Sequence, residues 1–169
     1  MILYLPKNFN ANEWFILIAG TLLLALVLLL PKRMSFIEML LIWLFNILLT
    51  ESADFFIGVP PLDLYDFNDW PQYEVFDLLL YLFMYPPIAY FFIYIYDIWK
   101  PRKLQAAFLI VVCSLVTTAL EGCSIKFYVF TYKGWSLPYS FPTYILVFVL
   151  NLLLYRFMKA KLLTIYRSN

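Results

Sequence analysis

Five runs of apolar residues, each closed by proline or a charged cluster, divide the chain and predict helices over about 14–30, 36–59, 73–96, 104–125 and 139–158. A helix needs about 20 such residues to cross a hydrocarbon core roughly 30 Å thick, and each run is close to that length. The first, WFILIAGTLLLALVLLL, is followed by Lys32 and Arg33 and by no small-residue cleavage site, so it is expected to persist as a helix rather than act as a secretory signal. Five spans with short loops take up nearly all of the 169 residues, which predicts one all-α, multi-pass integral membrane domain.

The polar residues inside these runs are spaced regularly. Span two carries Asn46, Thr50, Asp54 and Gly58 at every fourth position, with Glu51 beside them. Span three carries Asp77, Tyr81 and Tyr85; span four carries Ser114, Thr117, Thr118, Glu121 and Ser124; span five carries Ser140, Tyr144, Asn151 and Tyr155. Residues three or four apart share a helix face, so each of these spans has a polar stripe. Polar side chains are costly in hydrocarbon unless they meet one another or water, and this turns the stripes inward to a polar core between helices two to five. Span one, with only Gly20 and Thr21, reads as a lipid-facing anchor.

Composition agrees with this reading: 64% of residues are hydrophobic, 14% are charged and the mean hydropathy is +0.82. Nine of the 12 Lys and Arg lie after spans one and three and at the C-terminal end of the chain, while Lys7, Lys126 and Lys133 lie on the other side. Basic loops stay in the cytoplasm, so the N-terminus is expected outside and the C-terminus inside a cell membrane. The basic inner surface suits anionic headgroups and implies no nucleic acid. Partners in prospect are the bilayer and a membrane protein or second copy of the chain. Asp63, Asp66 and Asp69 lack the glycine and bidentate glutamate of a calcium loop and read as a solvated acidic loop. Cys113 and Cys123 lie roughly 15 Å apart along one helix, too far to bridge. The absence of histidine excludes familiar catalytic triads and typical zinc sets, and four glycines form no phosphate loop.

With that topology, Glu51, Asp54, Glu74, Asp77 and Glu121 share one depth near the outer leaflet. Asp54 is expected to face Asp77 and Glu121 across an outward-opening cavity, with Glu51 and Glu74 nearer its edge. Such carboxylates cannot all stay ionised and unpaired in a poor dielectric. Lys126 is expected to pair with one; the others are protonated, hydrogen-bonded to hydroxyls, or neutralised by a cation. The cation- or proton-binding set is therefore Asp54, Asp77 and Glu121, with Glu51, Thr50, Tyr81, Thr117, Thr118 and Asn151 around them. No cofactor is required, and the oxygen donors of Asp54, Asp77 and Glu121 would accept a hard divalent ion such as magnesium, calcium or manganese. Pro86 and Pro87 should kink span three and free the carbonyls of Leu82 and Phe83. The aromatic segment KFYVFTYKGWSLPY should turn at Lys133 and Gly134 and cap the cavity with Tyr132 and Trp135.

Asp54, Asp77 and Glu121 on successive spans, followed by YKGW at Tyr132 to Trp135, resemble a family of small uncharacterised five-helix integral membrane proteins found largely in spore-forming Gram-positive bacteria. The likeness covers roughly residues 45–158, and the family's turn often has asparagine where this chain has Lys133. The resemblance implies a fold and a residue set, and no activity. The intramembrane acids favour binding or conduction of a cation or protons. The alternatives are a structural or accessory subunit, whose polar core fixes helix pairing, and an enzyme acting on lipid or isoprenoid. No nucleophile or phosphate clamp supports the enzyme.

Overall fold

A computed structural model describes residues 4–68 and 73–168, with side chains to residue 161. Its helices are α1 (Ala11–Leu29), α2 (Phe36–Ala53), α3 (Val75–Phe83), α4 (Tyr85–Trp99), α5 (Lys103–Lys126) and α6 (Leu137–Ser168). A π-helical turn, Asp54–Gly58, extends α2, and α3 and α4 together form one interrupted span. Among the described residues, five helical segments are thus long and apolar enough to cross a bilayer, as in a multi-pass membrane protein. Large apolar side chains such as Leu28, Leu29 and Leu104 stand more than three-quarters exposed on their outer faces, where hydrocarbon rather than water suits them.

The predicted kink is present as a complete break. The helix ends at Met84 and restarts at Tyr85, with Pro86 and Pro87 in the first turn, where a missing N–H costs least. The Leu82 carbonyl freed by Pro86 accepts a hydrogen bond from Trp43 Nε1 of α2 at 3.0 Å. Packing is closest between α5 and α6, α2 and α4, and α1 and α3. The main apolar core, centred on Ile42, Phe92, Ile93 and Phe148, lies between α2, α4, α5 and α6.

One expectation is corrected, and a small strand pair joins the mostly helical fold. Span one is no mere lipid anchor: Ile16 and Val27 are buried, and a Cβ on Gly20 would stand 3.4 Å from that of Phe83, so glycine allows close approach to α3. Asn12 and Glu13 at its start are also buried, and Asn12 Nδ2 donates to Asn68 Oδ1 at 3.2 Å. Nor is the molecule purely helical. Strands β1 (Tyr65–Phe67) and β2 (Phe130–Tyr132) pair antiparallel, Tyr65 opposite Tyr132 and Phe67 opposite Phe130. Alternate residues of a strand point to opposite faces, so these four aromatic rings share one face and Asp66 and Thr131 take the other.

At the opposite end of the bundle, ion pairs join helices distant in sequence. Arg33 meets Asp97 at 3.0 Å, and Tyr155 of α6 donates to the same carboxylate. Glu38 accepts the Ser35 backbone N–H at 2.8 Å, completing an N-terminal capping box for α2, and pairs with Lys159 at 2.7 Å.

Candidate functional site

Between α2, α4, α5 and α6 lies a cavity of about 110 Å³, closed on one side by the β pair. Asp54 enters it from the π-turn, which adds a residue to the helical repeat and re-aims the side chains that follow. Glu121 enters from the last turns of α5, on the stripe that also carries Ser114, Thr117 and Ser124, all buried.

The cap holds both acids. The Tyr65 hydroxyl donates to Asp54 Oδ1, and the Tyr132 hydroxyl, directly across the sheet, donates to Glu121 Oε1. Ser140 adds a second donor to Glu121 Oε1 at 2.8 Å and accepts from Trp135 Nε1 at 2.9 Å. Burial first, and then the carboxylate each one faces, raises the proton affinity of Tyr65 and Tyr132 well above the ordinary phenol range. They therefore remain hydrogen-bond donors at neutral pH. Tyr81 and Tyr144 also approach Asp54 and Glu121. Even so, Asp54 Oδ2 and Glu121 Oε2 are buried with no partner at hydrogen-bonding geometry.

Each residue of YKGW has a distinct contact. Tyr132 holds Glu121. Lys133, exposed, pairs with Asp63 and Asp66 at 3.0 Å each, and its proton affinity is raised by those bonds, chiefly the one to Asp63. Gly134 brings the chain against Leu64, whose Cδ2 would lie 3.0 Å from any added Cβ. The backbone N–H groups of Lys133, Gly134 and Trp135 all point to the Leu64 carbonyl, at 2.9, 2.9 and 3.0 Å. Trp135 reaches Glu121 through Ser140 and lines the cavity, as does Tyr132.

Other expected members are dispersed. Asp77 does not line the cavity; it lies buried at the start of α3, accepting from the Glu74 backbone N–H at 2.7 Å and from Asn68 Nδ2 at 2.5 Å. Three residues into a helix, a carboxylate finds unsatisfied N–H groups close at hand, and that local demand takes Asp77. Glu51 is exposed and accepts from Tyr73, whereas Glu74, expected near the edge, is buried. Thr50 and Thr117 line the cavity but return their hydroxyls to the carbonyls of Asn46 and Cys113; Thr118 bonds Ser114 and lies outside it. Asn151 is fully buried and pairs with Asn46. Lys126 is exposed and has no described ion pair, because the end of α5 turns it away from the core. Among the described residues no three of Asp, Glu, Cys or His are placed to hold a metal ion, so the set of Asp54, Asp77 and Glu121 is not assembled as a metal centre. Of the acidic loop, Asp63 and Asp66 are paired with Lys133, and Asp69 lies outside the described residues.

Sequence reasoning missed Tyr65. Its only signal was the alternation Tyr65, Asp66, Phe67 in a stretch read as loop.

Fold and site together describe a multi-pass helical membrane protein with a capped, carboxylate-bearing cavity. In comparisons with known proteins, no family model matches the chain, and no curated protein and no solved structure shows significant similarity to it.

Proposed function

We propose that the protein resides in a cell membrane, N-terminus outside and C-terminus inside, and binds a cation or protons in the capped cavity through Asp54 and Glu121. The observation that carries this reading is the pair of buried carboxylate oxygens, Asp54 Oδ2 and Glu121 Oε2, without partners in one cavity. A buried carboxylate whose second oxygen lacks a hydrogen bond, and which has no counter-charge, is unfavourable. Among the described residues no Lys or Arg lines the cavity, so the compensating charge comes from a bound cation or from protons. The orientation rests on the nine-to-three division of basic residues. Membership of the five-helix family is likewise proposed, on Asp54, Asp77, Glu121 and YKGW.

The test is the thermal midpoint of the purified protein across pH 5–9 and across a panel of inorganic and ammonium cations, because a ligand that binds the folded state raises the midpoint. A response to one of these that Glu121→Gln removes is expected. A midpoint indifferent to all of them overturns the reading in favour of an accessory subunit, whose acids serve helix pairing.

A further inference from the structure

The cavity wall is chemically divided, and the division selects a ligand. On one part stand the two carboxylates, with Asp54 Oδ2 and Glu121 Oε2 buried and without a partner at hydrogen-bonding geometry, although Tyr81 and Tyr144 come near. Glu121 is nine-tenths buried, so bulk water does not satisfy it. The rest of the wall is mostly aromatic and apolar, with rings from Tyr65, Tyr85, Trp135 and Phe148, and the hydroxyls of Thr50, Thr117 and Thr143 on it are turned back to carbonyls of their own helices.

A hard metal ion fits this wall poorly. Magnesium and calcium take six to eight oxygen ligands at short range, and the described residues offer no group of three acids. An aromatic wall instead favours a larger, weakly hydrated cation, held over ring faces by their negative charge density. The two oxygens add a further requirement, since they need hydrogen-bond donors and a quaternary ammonium has none. A protonated primary amine carries three N–H donors on one positive centre, and its alkyl part suits the apolar wall. Size narrows the class again. A protein cavity of about 150 Å³ holds benzene, so a cavity of about 110 Å³ takes roughly four to five non-hydrogen atoms.

We infer that the cavity binds a small primary alkylammonium ion, its N–H groups shared between Asp54 and Glu121 and its alkyl chain packed against Tyr65, Trp135 and Phe148. The cap is then part of the binding site as well as its lid. Tyr65 and Tyr132 occupy one oxygen of each carboxylate, and the other oxygen of each is the one the ligand would take. This inference rests on the cation-binding reading above and specifies its ligand.

The test uses the full-length protein in detergent at pH 7 and constant ionic strength, with thermal midpoints followed against three compounds of like size. Isobutylammonium has charge and N–H donors, tetramethylammonium has charge without donors, and isobutanol has an apolar body without charge. Sodium and magnesium chloride complete the series. Isobutylammonium should raise the midpoint saturably, tetramethylammonium less, and isobutanol and the inorganic salts not at all. Glu121→Gln and Asp54→Asn should each weaken the apparent affinity for isobutylammonium about 10- to 100-fold, the loss of one charged hydrogen bond. The wild-type comparison stands whether or not either variant folds. If tetramethylammonium or isobutanol matches isobutylammonium, the inference is overturned. A response to sodium or magnesium alone overturns it too, while leaving the cation site standing. If pH and every cation leave the midpoint unmoved, the inference and the reading beneath it fall together.

Discussion

Asn46 and Asn151 show how a single polar residue is settled within an apolar bundle. Each donates from Nδ2 to the other's Oδ1, at 2.8 and 2.9 Å, and each also donates to a carbonyl one turn back on its own helix, Ile42 for Asn46 and Val147 for Asn151. Both donors and the acceptor of each amide are thus used, and the pair joins α2 to α6 at the cavity, which Asn46 lines. Removing one member strands the other, at about 1–3 kcal/mol. Removing both leaves nothing unpaired. Asn46→Leu and Asn151→Leu should therefore each destabilise the protein, while the double variant costs less than their sum by about 1 kcal/mol, the usual scale of such coupling between membrane helices. Reversible unfolding in mixed micelles measures this cycle, and strictly additive costs would contradict the pairing.

At the scale of the element, the interrupted third span is the clearest case of a local rule answered from elsewhere. Pro86 deprives the Leu82 carbonyl of its helical partner, and Trp43 on α2 supplies the indole N–H that replaces it. The break is therefore tied to a second helix rather than left as a loose hinge. Trp43→Phe keeps an aromatic ring but removes the donor, and it should lower stability by about 1–3 kcal/mol. Adding Pro86→Ala restores a backbone N–H, so the double variant should recover part of that loss in the same unfolding measurement. The β pair follows the same logic. Two three-residue strands cannot stand alone, and these are held by tyrosine bonds to α5 and the π-turn, by Lys133 bridging Asp63 and Asp66, and by the three N–H groups on Leu64.

For the whole molecule, the two ends of the bundle are closed by different means. One carries the aromatic cap with Lys133 on its exposed side; the other carries Arg33 with Asp97 and Lys159 with Glu38. The basic residues at the second end neutralise acids on neighbouring helices, and the proposed orientation rests on their number. The proposed orientation predicts that, in a variant lacking Cys113 and Cys123, an impermeant maleimide applied to intact cells labels Thr131→Cys and leaves Lys32→Cys unlabelled until the membrane is opened. The reverse pattern would invert the topology.

The five long apolar helices were legible in the sequence, with ends displaced by up to three residues and α6 running on to Ser168, because the length of an apolar run and the charges that end it are local properties that the hydrocarbon thickness constrains directly. The proline break, the inward stripes on α2, α5 and α6, and the turn at Lys133 and Gly134 were legible for the same reason. Position along the spans suggested that acids at one level belong to one site. Tertiary structure decided otherwise: Asp77 answers the open N–H groups of its own helix and Glu51 lies on an exposed face, leaving Asp54 and Glu121 on the cavity wall. Helical periodicity states which residues share a face, but not which neighbour that face meets. The pairing of Tyr65 with Tyr132, of Asn46 with Asn151 and of Trp43 with Leu82 joins residues distant in the chain, and only packing in three dimensions brings such groups within hydrogen-bonding reach.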